Sequence, residues 1–567
     1  MLVVLALNTR AAEEMPDFTL LDCNGRVHEL HRAGGRAVVL FFTGNGCPIA
    51  RKSVSKLRAL PQQFGEDVTV WMVDAYSQDD PKDVRKEALD LKVGSIPILM
   101  DEKQGLALAL GVQRTAEVVA ISTKDWTVFY RGAIDDQLSE GAEKPQPTQK
   151  YLASALTAFL AGKEIPQART SVKGCLIAYE KVSEPADGPV SYVKQVAPIL
   201  REKCAGCHSE GNIGPFAFSS YSVAKKKARM IQEVLLTQRM PPWHADPHYG
   251  KFTNNPALTA AEVQTLGRWI AQGAPRDEGE DPLNAPVPVV GDWPLGKPDY
   301  IVRLPAPETV PATGVLDYRH IKLDSPIPDN AWLAGVSIKP GNRKVVHHVI
   351  VRAKYKNSGD DGSGQGAWIA GWAPGYQAER FPEGTGRFLG QGAKLDFEMH
   401  YTTMGVEQTD QTEIGLYVLP EKPKLSYQVH AAFNAEFSIP PGEADARTFA
   451  TFGFKHDSLL YNLTPHMHLR GSWMRYEALY PNGKREVLLS VPRYDFNWQT
   501  TYRLAEPKRI PAGSWLLCTG GFDNSAQNHA NPDPKKRVTW GDQSWDEMFI
   551  GFLGLTELPR ETAVSQK

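Results

Sequence analysis

Two thiols separated by two residues and followed at once by a histidine can form thioethers to the vinyl groups of a haem while the imidazole takes one axial face of the iron. Cys204, Cys207 and His208, in "CAGCHSEGNIGP", have that spacing. With 6 cysteines and 14 histidines in 567 residues, composition alone gives about 0.002 such runs. Half of a zinc site is the alternative, but no second cysteine pair stands at motif spacing to complete it. A sixth ligand is expected on a later loop, where "QRMPPWHADPHYG" offers Met240, stiffened by two prolines, with His244 and His248 as competitors.

Three further stretches carry histidines at spacings that suit a metal. "KVVHHVIV" places His347 and His348 in an apolar run of β type, and "LDFEMHYTT" places His400 in another. "LTPHMHLRG" places His466 and His468 two apart, so on a strand both imidazoles face one side. Adjacent histidines face opposite sides of a regular strand, so His347 and His348 can share an ion only at a twist, a bulge or a strand end. A three-histidine zinc site is an open alternative for either cluster. Met548, in "GDQSWDEMFIGF", adds a thioether, which favours Cu(I), whereas imidazole suits both oxidation states of copper.

The order His-His, His, His-Met-His, Met along residues 295 to 560, with "VPRYDFNWQTTY" and "LCTGGFDNS", resembles the copper type II ascorbate-dependent monooxygenases, the family of peptidylglycine α-hydroxylating monooxygenase and dopamine β-monooxygenase. The resemblance implies one copper on His347, His348 and His400, which stores and relays an electron. It implies a second copper on His466, His468 and Met548, where O2 binds and a substrate C–H bond is broken. Animal members are rich in disulfides, whereas Cys518 is the single cysteine here and reads as a small buried hydrophobe. Residues 189 to 280 resemble a small c-type cytochrome: "RMPPW" is similar to its methionine loop, which selects Met240, and "TAAEVQTLGRWIAQGAP" to its terminal helix, capped by Thr259. The implied cofactors are two copper ions and one covalently bound haem c.

Towards the N-terminus, "RAVVLFFTGNGCPIARKSVSKL" reads as a buried strand, a turn and a helix starting near Cys47. With "VGSIPILMD" it resembles the thioredoxin fold, closest to the redoxin and peroxiredoxin-like group, and the resemblance implies a cis Ile96–Pro97 bond. A thiol at a helix N-terminus has a lowered pKa, so Cys47 is a candidate thiolate. Thioredoxins carry a second cysteine where Ala50 stands, and peroxiredoxins place a threonine three residues before the thiol, whereas Thr43 lies four before. Cys175 is the candidate to resolve or bridge Cys47, with Cys23 behind it. A docking role and a redox role both stay open.

These motifs require three modules, consistent with a chain too long for one core. The expected fold is multidomain: an α/β thioredoxin-like domain over 15–185, an all-α cytochrome c over 189–280, a proline-rich linker over 281–294, and all-β tandem antiparallel sandwiches of jelly-roll type over 295–425 and 426–560. Residues 1–14, "MLVVLALNTRAAEE", read as a signal-peptide remnant or a disordered end. Net charge is −2, with nothing to attract nucleic acid, and no apolar run is long enough for a membrane span. Covalent haem attachment points to a periplasmic or secreted protein. The expected function is hydroxylation of an unidentified organic substrate with O2, with electrons supplied through the fused haem and an ascorbate-like or protein reductant as a further partner. The alternatives are an electron-transfer or copper-binding protein without oxygenase activity, and a thiol peroxidase with appended carriers.

Overall fold

The run AVVLFFT, Ala37–Thr43, is buried at all seven positions, as a strand covered by helices on both faces must be. In the computed structural model it is the centre of a five-stranded sheet. Ile98–Met100, Val68–Asp74 and Ala37–Thr43 run parallel; Val118–Ser122 adds antiparallel to the last, and Val128–Gly132 antiparallel to that. Helix Pro48–Phe64 follows the central strand, with Cys47 at its N-cap and a proline in its first turn. This is a thioredoxin-like α/β domain. Ile96–Pro97 is not cis as expected: among the described residues the cis peptide is Met240–Pro241. Sheet order gives the reason. Ile98–Met100 lies two strands from the strand that leads to Cys47, and the loop facing the thiol is Thr115–Ala116, which opens the adjacent strand.

The structure describes residues 14–139, 142–179, 188–285, 293–355, 367–374 and 378–559. The expected signal remnant, apart from residue 14, and half of the expected linker lie outside the described residues. Two compact units account for the chain: Met1–Lys203, Ser220–Pro242 and Ala257–Asn284 form one, and Cys204–Ser219, Trp243–Pro256 and Ala285–Lys567 the other. Helices Ala197–Lys203, Tyr221–Lys226, Ala228–Leu236 and Ala260–Ala271 belong to the first. The last begins with a full capping box between Thr259 and Glu262. Met230, on the third, is 45% exposed, so it is not the core residue its apolar type suggests.

The second unit holds a large β-rich region of antiparallel sheets. Strands Tyr300–Arg303, Glu413–Val418, Ala331–Lys339 and Thr385–Leu389 face a four-stranded sheet of Arg319–Asp324, Lys394–Tyr401, Val346–Lys354 and Ala367–Trp372 across one hydrophobic core. Leu425–Phe433, Ile550–Glu557, Ser458–His466 and Tyr502–Ile510 likewise face Ala446–Gly453, Trp515–Phe522, Gly471–Leu479 and Arg485–Val491 across a second. The two layers are not separate sandwiches throughout. Thr385–Leu389 pairs in parallel with Leu425–Phe433, joining one layer of each into a single nine-stranded sheet.

Side-chain alternation decides what faces the seam between the sandwiches. On Lys394–Tyr401, Leu395, Phe397, Met399 and Tyr401 enter the first core, which leaves Asp396, Glu398 and His400 on the other face. On Ile550–Glu557, Leu553 and Leu555 enter the second core, while Ile550 and Phe552 pack with Met548 and Trp368 in a small separate cluster.

Candidate metal centres

Strand Val346–Lys354 pairs with Lys394–Tyr401 with His348 opposite His400, and its register shifts between Val346 and His348. The irregularity falls at His347, and an extra residue there re-aims its side chain. The three rings converge: their ligating nitrogens lie within 4.8 Å of one another. His347 Nδ1 stands 3.0 Å from His348 Nδ1 and 3.1 Å from His400 Nδ1. A ring nitrogen carries one proton or one lone pair, so at most one of these two contacts is a hydrogen bond. The other opposes like groups unless a cation lies among them. Separations near 3 Å are those left between donors about 2.0 Å from a shared ion.

Burial lowers the pKa of each ring. His400 is pushed down to about 3 by burial and then by His347, and His347 is lowered by burial. His348 falls well below the usual range, through burial and then the neighbouring rings. All three are therefore neutral near pH 7, the form that ligates metal.

His466 ends strand Ser458–His466 opposite Ile550, and its ring centroid lies 5.3 Å from that of His468. Both are buried, His468 completely. His466 Nδ1 donates to Gln499 Oε1 at 2.8 Å, which leaves Nε2 as its acceptor nitrogen. Neither nitrogen of His468 has a hydrogen-bond partner. A buried polar atom without a partner is costly, so these orphaned imidazole nitrogens fit a metal. Met548 is buried in the cluster with Ile550 and Phe552, and the Phe552 ring lies 6.2 Å from that of His466. Glu547, just before Met548, accepts hydrogen bonds from the backbone N–H groups of His468 and Arg470 at 2.8 and 2.6 Å. Burial pushes its carboxyl up to about 8.

Residues that the sequence did not single out stand between the two clusters. The Tyr318 ring is 5.5 Å from His348, 4.6 Å from His400 and 6.2 Å from His468. Phe496 packs 5.3 Å from His347 and 5.8 Å from His468. Gln499 Nε2 lies 3.4 Å from His348 Nδ1 while its oxygen accepts from His466. The run "RYDFNWQTTYRL" reads as a strand, but residues 492–501 form a loop between Arg485–Val491 and Tyr502–Ile510. Asp495 turns the chain by accepting from Asn497 N–H at 2.9 Å. Its spacing to Asn497 is the turn signal that could have revealed the loop.

In the second unit, one helical turn gathers the haem motif: His208 and Cys207 N–H groups both reach Cys204 O, placing the three side chains on one side. His208 Nδ1 donates to Phe216 O at 3.1 Å, leaving Nε2 as its acceptor nitrogen. Burial lowers the His208 pKa, partly offset by that hydrogen bond. A Cβ on Gly214 would lie 2.7 Å from His208 Nδ1, so the loop closes over the ring only with glycine. Met240 belongs to the first unit and is half-buried. Of its competitors, His244 is buried and pushed down to about 4 by burial, and His248 pairs with Asp246 at 2.7 Å.

The thiols sort clearly. Cys47 Sγ lies 3.2 Å from Cys175 Sγ. Cys23 is buried in the thioredoxin-like core, its thiol pushed up to about 11 by burial. Cys518 is fully buried and also raised by burial, as a small hydrophobe.

Residues 11–133 match the AhpC/TSA family. No curated protein matches the chain. A solved structure of an uncharacterised conserved protein from Geobacillus kaustophilus is similar at 25% identity, over 30% of this chain and 92% of its own, with a TM-score of 0.28. A thioredoxin-like protein from Aeropyrum pernix is similar at 22% identity, over 21% of this chain and 83% of its own, TM-score 0.20. An exposed lipoprotein thioredoxin from Streptococcus pneumoniae is similar at 22% identity, over 21% and 88%, TM-score 0.19. The family match and the strand order identify the N-terminal region as a thioredoxin-like redoxin domain.

Proposed function

We propose that this protein is a copper-dependent monooxygenase that hydroxylates a C–H bond of an organic substrate with O2, drawing electrons through a haem on the same chain. The observation that carries the reading is the convergence of the neutral His347, His348 and His400 rings next to the buried, unpartnered ring of His468. His347, His348 and His400 would hold one copper, and His466, His468 and Met548 the other. Cys204 and Cys207 would bind haem covalently, with His208 as an axial ligand.

Copper bound at these residues supplies one-electron chemistry and oxygen activation. The chain's own groups prepare the sites. Gln499 fixes the His466 tautomer through its oxygen and stands beside His348. Glu547 ties down the turn that carries His468. Tyr318 and Phe496 each pack a ring against both clusters. Thioether attachment of haem belongs to compartments outside the bacterial cytoplasm, so the reading implies a periplasmic or secreted protein. No described helix is long and apolar enough to cross a membrane.

Purified protein is expected to hold one covalent iron and two coppers per chain, by elemental analysis. Rapid mixing of the reduced protein with O2 and a panel of peptides and small amines should oxidise haem and copper together and release hydroxylated product. Met548→Ile should abolish turnover while copper stays at the first trio. A haem that stays reduced during turnover would overturn the electron route, and wild-type protein with fewer than two coppers would overturn the reading itself.

A further inference from the structure

Cys175 lies outside the five-stranded sheet, on a short segment strapped to the loop that faces Cys47. Thr115 N–H donates to Cys175 O and Ile177 N–H to Gln113 O, at 2.9 and 3.0 Å. Cys175 N–H donates to Thr115 Oγ1 at 2.9 Å, and Arg114 Nη1 to Gly174 O at 2.7 Å. The strap fits closely: a Cβ on Gly174 would stand 1.8 Å from Thr115 O. Its effect is to hold a thiol 3.2 Å from Cys47, although the helix that begins at Cys47 carries Ala50 where a second thiol would be nearest in sequence.

The pair is asymmetric in access and in protonation. Cys47 is 3% exposed, whereas Cys175 is only partly buried. Burial by itself would raise the Cys47 thiol. Hydrogen bonds from Thr115, the Ala50 backbone and Cys175 outweigh it and hold the group below the ordinary thiol range. Thr115 Oγ1, already an acceptor from Cys175 N–H, has its proton to give to Cys47 Sγ at 3.0 Å. Cys175 is raised, by burial and then by Cys47. Of the two thiols, Cys47 is therefore the first to lose its proton.

We infer that Cys47 and Cys175 form a reversible dithiol–disulfide couple whose solvent-facing sulfur is Cys175, so that exchange with an external dithiol enters there and expels Cys47 as the buried thiolate. In the reducing direction, a thiolate of a dithiol carrier attacks Cys175 Sγ. The Cys47–Cys175 bond breaks, a carrier–Cys175 mixed disulfide forms, and Cys47 leaves with the electron pair. Exchange is faster when the departing thiol has the lower pKa, and Thr115 and the helix N-terminus stabilise that anion. The second carrier thiolate then attacks the carrier's own sulfur, freeing Cys175, which takes a proton. Two electrons pass from the carrier dithiol, now a disulfide, to the protein disulfide, now two thiols. With a disulfide as oxidant the steps reverse: Cys175 loses its proton and attacks one oxidant sulfur, the expelled oxidant thiolate takes up that proton, and Cys47 then attacks Cys175 Sγ as the thiolate and expels the second oxidant sulfur.

The test uses the full chain and glutathione. Wild-type protein equilibrated with oxidised glutathione should give a Cys47–Cys175 linked peptide by mass mapping, and dithiothreitol should remove it under native conditions. Cys47→Ser should accumulate a glutathione adduct on Cys175 at least about tenfold faster than Cys175→Ser accumulates one on Cys47, following the difference in access. Absence of the linked peptide overturns the couple. A link that dithiothreitol cannot open in the folded protein makes it a structural brace and also overturns the couple. Equal or reversed adduct rates overturn the assignment of Cys175 as the entry sulfur. None of these readouts involves copper or haem, so the result stands apart from the oxygenase reading.

Discussion

Replacing His400 by leucine separates a metal ligand from a packing residue. In metal-free protein, His347 Nδ1 meets two ring nitrogens at 3.0 and 3.1 Å and can hydrogen-bond to only one. A buried polar group left unpaired costs about 1–3 kcal/mol. Leucine is of similar volume, can pack against the Tyr318 ring now 4.6 Å away, and removes the opposed contact. Metal-free His400→Leu should therefore match the wild type or exceed it by about 1 kcal/mol. With metal at about a thousandfold over its dissociation constant the wild type gains about 4 kcal/mol, and the variant, short of one donor, gains much less. The stability order thus reverses on adding Cu(I). Native-state hydrogen exchange of Val346–Lys354 and Lys394–Tyr401, with chelator and with Cu(I) under anaerobic conditions, reads this locally. A variant destabilised equally in both conditions would show that His400 serves packing alone, and the argument for a metal at this trio would fail.

Gly214→Ala should sharply lower covalent haem per chain, because the new Cβ meets His208 Nδ1 at 2.7 Å and Cys207 O at 2.8 Å; overpacking of this kind costs about 1–3 kcal/mol, and full haem content with an unchanged spectrum would contradict it. Asp101, buried and accepting from Ala107 N–H at 2.8 Å, has a carboxyl raised to about 7 by burial. The folded protein therefore holds its proton over a range where the unfolded chain, with an ordinary value near 3.9, has lost it. The stability this gives is complete below about pH 4 and is lost as pH rises to 7. Asp101→Asn should gain on the wild type across that window, by at most on the order of 4 kcal/mol, in denaturant titrations at fixed pH steps; a difference constant from pH 4 to 8 would refute it. Cys47→Ser should leave copper and haem content unchanged, and a loss of either would tie the thiol to the metal centres.

Sequence spacing pointed to the candidate residues because their constraints are local. Cys204, Cys207 and His208 lie within one helical turn, and His466 and His468 within one strand repeat. Thr259 and Glu262 announced their capping box for the same reason. What failed to show depends on pairing between distant segments. The irregularity at His347 exists only in the register between Val346–Lys354 and Lys394–Tyr401. Tyr318 stands beside the clusters because Arg319–Asp324 is the edge partner of Lys394–Tyr401, a choice no local pattern encodes. Pro97 was the wrong proline to watch, since a motif gives the order of strands along the chain and not their order across the sheet. The shared nine-stranded sheet was likewise invisible, as it rests on a short parallel pairing between Thr385–Leu389 and Leu425–Phe433.

The two kinds of centre are supported in physically different ways. His348 and His400 alternate along their strands with Val349, Val351, Met399 and Tyr401, which fill the first core. Moving either imidazole therefore means slipping a strand by one residue, which would turn that core face outward. The histidine trio is fixed by the same burial that stabilises the sandwich, and its lone pairs remain aimed at one another whether or not an ion is bound. The haem loop has no such backing. Its ring is oriented by one hydrogen bond to Phe216 and by the rings of Phe216 and Phe218 at 4.6 and 5.5 Å. The proposed covalent attachment through Cys204 and Cys207 would supply there the permanence that strand register supplies at the histidines. The histidine trio should therefore bind and release metal without refolding, whereas loss of both thioethers should free the proposed haem and loosen its loop.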